Sequence, residues 1–327
     1  MLYPRKSCTK QKNPAPDDQS SVGFSIPRKA NFIGTKDNNM SIKTVNKLPA
    51  LIDNLPFEDY LNMPGYLHIS QAKNYVPNST GSINHNELND LRPSSDALKE
   101  GTLGHTTVLE FNDVHDRYIC MPKVDARTKE GKEMKRLAEQ QAAAEGKELM
   151  NQDEFTRALR WRENILNDPY AKKLMANGLQ GHNEVSGFWH HELGVDACCR
   201  LDRFLPQIDT IIDAKFMREG SPESFRRDIF KYDYDMQAAW YIDGIKAITG
   251  QECDFLFLVC EKNWPWNVQL YRIEDSWIEK AREKIKKAID KYHQWCNCTN
   301  DEDRNKLKSY HEGILTITMK RENDDTI

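Results

Sequence analysis

The sequence predicts a mixed α/β fold, a central sheet flanked by helices. Three observations point there. Charged, Ala-containing segments with helical spacing dominate the first half of the ordered chain. A cluster of strand-like segments then runs from His182 to Met217. After it come a helix, two strands and a long amphipathic helix, a mixture that calls for helices packed on a sheet.

The chain has 327 residues, 39% hydrophobic and 29% charged, the profile of a globular protein with a real core. No apolar run reaches the roughly 18 residues of a membrane span. The N-terminal stretch MLYPRKSCTKQKNPAPDDQS has no apolar secretory segment. A cytoplasmic location, with no membrane partner, is the expectation. Residues 1–50, polar and rich in Lys, Asn, Pro and Ser, read as a flexible arm. One domain is expected over 51–320, with a short tail over 321–327. The eight cysteines include no C-x-x-C pair, so neither a zinc ribbon nor a disulfide framework is expected. The net charge of −4 weighs mildly against a nucleic-acid partner. A groove's local field, and the cations it holds, decide that question instead.

Each element follows in order. A helix is expected from about Ser95, capped by Ser94 or Ser95, with Leu98, Leu103, Val108 and Leu109 as its apolar positions. Lys129 to about Leu149 is Ala-rich and charged, with strong helix propensity. NQDEFTRALRWRENILND has helical spacing through Phe155, Leu159, Ile165 and Leu166. DPYAKKLMANG predicts a fresh helix with Asp168 as N-cap, Pro169 at the first position and Gly178 at the stop. Short strands follow, with turns at Leu193-Gly194 and at Pro206. SPESFRRDIFKYDYDMQAAWYIDGIKAITG returns to helix and stops at Gly250. CDFLFLVCEKN predicts a buried strand and VQLYRI another. The last helix puts Trp277, Ile278, Ala281, Ile285, Ala288, Ile289 and Tyr292 on one apolar face.

The strand IDTIIDAKF is chemically unusual. Asp213 and Lys215 lie two apart and so share one face. Charges at the end of an apolar run are costly unless paired or metal-bound. D-x-K alone describes a sheet-edge salt bridge well. Asp202 in CRLDRF, however, lies at hairpin distance on the neighbouring strand. Two carboxylates on adjacent strands can converge on one hard cation, and Mg²⁺ typically takes one or two carboxylates plus phosphate oxygens. A lysine beside it can orient a water and stabilise phosphoryl charge. Glu184 in NEVSGFW is upstream. Gln237 and Tyr241 lie one helical turn apart. His105 in EGTLGH completes the set. His190 and His191, adjacent on a strand, point to opposite faces and make a poor metal pair.

In this order, EGTLGH, NEVSGFW, CRLDRF, IIDAKF and YDYDMQAAWYIDG resemble the nuclease domain of the exonuclease VIII (RecE) family, within the PD-(D/E)XK nuclease superfamily. The resemblance covers roughly residues 55–295. It implies a PD-(D/E)XK (restriction-endonuclease-like) core. It implies metal binding by His105, Asp202, Asp213 and the carbonyl of Ala214. Lys215 would position the attacking water, Glu184 would support the metal–water network, and Gln237 and Tyr241 would hold the DNA backbone or the active-site strand. The cofactor would be Mg²⁺, with Mn²⁺ able to substitute. The implied activity is 5′→3′ digestion of linear double-stranded DNA, leaving 3′ single strands for an annealing recombinase. A homo-oligomeric ring around DNA, in a bacterium or phage-infected host, is the implied setting. The pattern departs at D-x-K, where E-x-K is commoner, and at Leu201, where Pro is expected. Arg200, Arg203, Arg226, Arg227 and Lys231 are candidates for phosphate contact. Competing readings are a PD-(D/E)XK endonuclease of repair or defence, and a catalytically inactive DNA-binding or assembly module.

Overall fold

The computed structural model describes residues 32–34, 45, 47–76, 96–121, 123–125, 127–175 and 179–308. Its elements in order are β1 (Phe32–Gly34), β2 (Ala50–Asp53), α1 (Phe57–Leu61), β3 (Leu67–His68), α2 (Ile69–Ala72), α3 (Asp96–Leu109), α4 (Val114–Arg117), β4 (Tyr118–Met121), α5 (Lys129–Glu145), β5 (Glu148–Asn151), α6 (Gln152–Asn167), α7 (Ala171–Met175), β6 (His182–His191), β7 (Val195–Leu205), β8 (Thr210–Met217), α8 (Pro222–Tyr232), α9 (Tyr234–Thr249), β9 (Asp254–Glu261), β10 (Val268–Arg272), α10 (Asp275–Asn297) and α11 (Asp301–Lys308).

Among the described residues the main sheet has the order β1-β2-β6-β7-β8-β9-β10, with β3 also paired to β7. Strands β6, β7 and β8 form an antiparallel meander. β9 then joins β8 in parallel, by way of α8 and α9. That is the crossover a parallel pair requires. β9 alternates its apolar residues between two cores. Phe255, Phe257 and Val259 pack with Trp240, Ile285 and Ile289. Leu258 and Cys260 pack with Leu103, Trp161 and Ile165. Burial on both faces is why the strand reads as an unbroken apolar run.

Most expectations from the sequence hold, and several boundaries shift for identifiable reasons. The helix from Lys129 ends at Glu145, because Gly146 adopts φ 65° and Glu148–Asn151 pairs with β4 as a strand. In α6 it is Trp161 that is buried, whereas Leu159 is exposed. Asp168 does cap: its Oδ1 accepts from Tyr170 N (2.9 Å) and Ala171 N (2.7 Å), so the helix begins at Ala171 rather than Pro169. The strands expected to be short include one of 11 residues, β7. The segment from Ser221 to Gly250 is two helices, broken at Asp233 with φ 50°. Lys284 spans that break, 3.3 Å from Asp233 Oδ1 and 2.7 Å from Asp235 Oδ2. Of the segment expected to be an arm, Phe32–Gly34 forms β1, which pairs in parallel with β2, while 1–31, 35–44 and 46 lie outside the described residues. Ser94, Ser95 and Gly178 lie outside the described residues, as do the side chain of Leu98 and the expected tail. No described helix is long and apolar enough to cross a membrane. Every described cysteine is a free thiol.

Candidate active site

Register builds the site. β6 pairs Asn183 with Arg203 and Val185 with Leu201, which sets Glu184 opposite Asp202. β7 pairs Arg203 with Ile212, which sets Asp202 opposite Asp213. Three carboxylates therefore stand in one row across three neighbouring strands. Regular pairing stops at this row. Glu184 takes φ 53°, a conformation that costs a non-glycine residue and recurs where function over-determines the backbone. β7 pairs with β8 only over Arg203–Leu205, and further back its free side turns to β3 at Ala197 and Cys198. The strands part, and Asp202 spans the opening by accepting from Ala214 N at 2.7 Å.

α3 closes one wall. A Cβ on Gly104 would sit 2.8 Å from the Phe216 ring, so only glycine lets the helix come this close to β8. The next residue, His105, places Nδ1 3.3 Å from Asp202 Oδ2. One ligand atom each from His105, Glu184 and Asp202 all lie within 4.8 Å of one another. Burial lowers the pKa of the His105 imidazole, so the ring is neutral at pH 7 and keeps a lone pair to offer. Burial, then the Asp213 charge, pushes the Asp202 carboxyl well above the usual carboxylate range. Burial, then Asp202, raises Glu184, against the pull of Arg200. Burial is the larger cause for both carboxylates, and the nearby Arg200 lowers both without cancelling it.

α9 closes the other wall. Asp213 is 2% exposed. Its Oδ1 accepts from Gln237 Nε2 at 2.6 Å. Its buried Oδ2 faces the Lys215 ammonium, with Nζ 2.5 Å away as an ion-pair partner. Lys215 also donates to Gln237 Oε1 (3.2 Å) and lies 4.7 Å from the Tyr234 ring centroid. Burial alone would lower the Lys215 ammonium, but Asp213, Tyr234 and Asp202 together more than offset it and the net shift is upward. Tyr241, one turn beyond Gln237, is buried beside the Gln237 amide and packs on Phe255. A neutral imidazole and two carboxylates, raised first by burial and then by neighbouring carboxylates, with ligand atoms within 4.8 Å of one another, suit a hard divalent cation.

The structure thus brings together His105, Glu184, Asp202, Asp213, Ala214, Lys215, Gln237 and Tyr241. It turns two of the expected phosphate contacts inward. Arg200 donates to Glu184 Oε2 (2.6 Å) and Leu55 O (2.7 Å), so it anchors the strained glutamate. Arg203, 4% exposed, is consumed by Leu174 O, Asn183 Oδ1 and Leu179 O. Arg226, Arg227 and Lys231 are exposed on α8. His190 is exposed while His191 stacks on Trp240, opposite faces as expected. Tyr234 lies in the Tyr-rich stretch before Gln237, yet no motif there assigns it a role. Lys73, which donates to Tyr232 O (2.8 Å) and lies 5.6 Å from the Tyr234 ring centroid, carries no local signal.

A family model described as a PDDEXK-like domain of unknown function (DUF3799) matches residues 74–306. No curated protein matches the sequence. The fold is similar to that of a crystal structure from Eubacterium rectale named a "putative exonuclease", with a TM-score of 0.53 and 17% identity, covering 81% of this chain and 96% of that one. The chain belongs to the PDDEXK-like family, and its central mixed sheet flanked by helices is a PD-(D/E)XK fold.

Proposed function

We propose, from membership of that family, that the chain is a divalent-metal-dependent deoxyribonuclease, and specifically an exonuclease acting on linear double-stranded DNA. One observation carries the reading: the His105–Glu184–Asp202 cluster stands beside an Asp213–Lys215 pair at the point where β7 and β8 separate. His105, Asp202 and Asp213, with the Ala214 carbonyl, would hold Mg²⁺ or Mn²⁺, and Glu184 would support the network. Such a cation, when bound, supplies Lewis-acid stabilisation of phosphoryl charge.

The protein's own groups have separable tasks. Lys215 keeps its ammonium charged and directs a hydrogen bond at a water or a phosphate oxygen, where negative charge grows. Gln237 touches both Asp213 and Lys215 and fixes their relative positions. Arg200 clamps Glu184 toward the cluster. The resemblance to the RecE family supports 5′→3′ polarity, 3′ single-stranded products for an annealing recombinase, and a ring-shaped oligomer. A ring would help an acidic chain stay on a polyanion.

The test uses linear duplex DNA labelled separately at its 5′ and 3′ ends, a covalently closed circle, and Mg²⁺. Early release of the 5′ label, an intact circle and loss of cleavage in Lys215→Ala are expected. Cutting of the circle would replace the exonuclease with an endonuclease. Absence of metal-dependent cleavage on every DNA would reduce the chain to a binding or assembly module.

A further inference from the structure

The β9–β10 hairpin, residues 262–267, presents a bare indole. Trp264 is 84% exposed, the most exposed large hydrophobic side chain described. An indole costs free energy in water and is normally covered. The loop around it is tightly braced. Trp266 N donates to Asn263 O (2.7 Å), and Trp266 O accepts from Asn164 Nδ2 (2.9 Å). The nearly buried Glu261 carboxylate accepts from Gly220 N (2.8 Å) and Asn267 N (3.2 Å), and Trp161 Nε1 donates to Glu261 O (2.8 Å). Trp266 itself packs against the core beneath α6. The scaffold is fixed on both sides while the side chain between them is offered to solvent.

Its position is as informative as its exposure. Lys262 N donates to Met217 O at 2.8 Å, so the loop leaves β9 alongside the end of the neighbouring β8. Met217 lies two residues past Lys215, roughly 7 Å along the strand. The cleft between β7 and β8 widens in that same direction, because pairing ends at Ile212. Arg218, exposed and in no ion pair among the described residues, stands at the same rim. Lys262 is there too, tied to Glu100 Oε2 at 2.9 Å.

We propose that Trp264 stacks on a nucleobase of the DNA strand entering the cleft, with Arg218 beside it for the backbone. The inference rests on the nuclease reading and adds the surface that receives the strand. Every base offers a π-face, so such contact tolerates any sequence. A second copy of the chain is the competing occupant.

The experiment compares full-length wild type, Trp264→Ala and Trp264→Phe. Affinity for a fluorescent single-stranded oligonucleotide and for a linear duplex is measured in Ca²⁺, and KM and kcat in Mg²⁺. Trp264→Ala should weaken single-strand affinity and raise KM about tenfold, as loss of one stacked base predicts. The Phe variant should recover most of that, with kcat and thermal midpoint unchanged in both. Unchanged affinity and KM in Trp264→Ala, with wild-type cleavage intact, would overturn the inference and leave the nuclease standing. A changed sedimentation coefficient with unchanged DNA affinity would assign the indole to a second copy instead. A wild type that neither binds nor cuts DNA would overturn both readings.

Discussion

Gln237 Nε2 donates to Asp213 Oδ1 at 2.6 Å, and the same amide's oxygen accepts from Lys215. One neutral side chain on α9 therefore satisfies both charged residues of β8. A hydrogen bond to a charged group contributes about 1.5–3 kcal/mol, and each 1.36 kcal/mol is about tenfold in rate. Gln237→Leu should lower kcat about ten- to a hundredfold with metal affinity nearly retained. Single-turnover kinetics with isothermal titration of Mn²⁺ checks this. An unchanged kcat would remove Gln237 from the machinery.

Tyr234 faces Lys215 with its ring, the centroid 4.7 Å from Nζ. A desolvated cation–π contact contributes about 2 kcal/mol. Tyr234→Phe keeps the ring and should preserve kcat, whereas Tyr234→Leu should reduce kcat by up to about thirtyfold. If the Leu variant matches wild type in turnover, the ring plays no part in holding the lysine.

Gly104 sets the distance of α3 from the sheet, since its missing Cβ is where Phe216 lies. Gly104→Val should force the helix outward, with an overpacking cost of about 1–3 kcal/mol. His105 moves with the helix, so Mn²⁺ affinity should fall as well. Differential scanning calorimetry and metal titration together read the two effects. Full metal affinity in a destabilised variant would separate His105 from the metal site.

Lys73 supplies a pH signature. Burial, then the neighbouring Lys215, pushes its ammonium down to about 7. A base whose folded pKa is depressed contributes most stability above its unfolded value and loses it as pH falls through the folded value. Near neutral pH the wild type therefore carries the cost of a desolvated charge. Lys73→Met should raise the thermal midpoint near pH 7, and the gain should shrink toward pH ~10.4, the ordinary lysine value. Midpoints measured across that range test it. A gain that is flat or grows with pH would contradict the burial of that charge.

Much of the site was legible in the sequence because its residues are local to a meander. Strand periodicity puts Asp213 and Lys215 on one face. A short hairpin puts Asp202 across from Asp213, and helical spacing puts Gln237 one turn from Tyr241. These are consequences of fixed backbone periods. Burial on both faces made β9 readable for the same reason.

What lies between elements was decided by the tertiary structure. Nothing near Arg200 announces that it clamps Glu184 rather than a phosphate, since a guanidinium satisfies a carboxylate or DNA equally well. The break at Asp233 is held by Lys284, far along the chain, and it lets α9 leave the line of α8 and bring Gln237 over β8. The approach of α3 depends on a glycine meeting Phe216, a contact that no period encodes. The sequence by itself determined which strands and helices form and which side chains share a face, because φ/ψ preferences and apolar periodicity act over a few residues. Only the packed structure decided which charges neutralise one another and which stay available, because that depends on how closely distant elements approach once solvent is expelled.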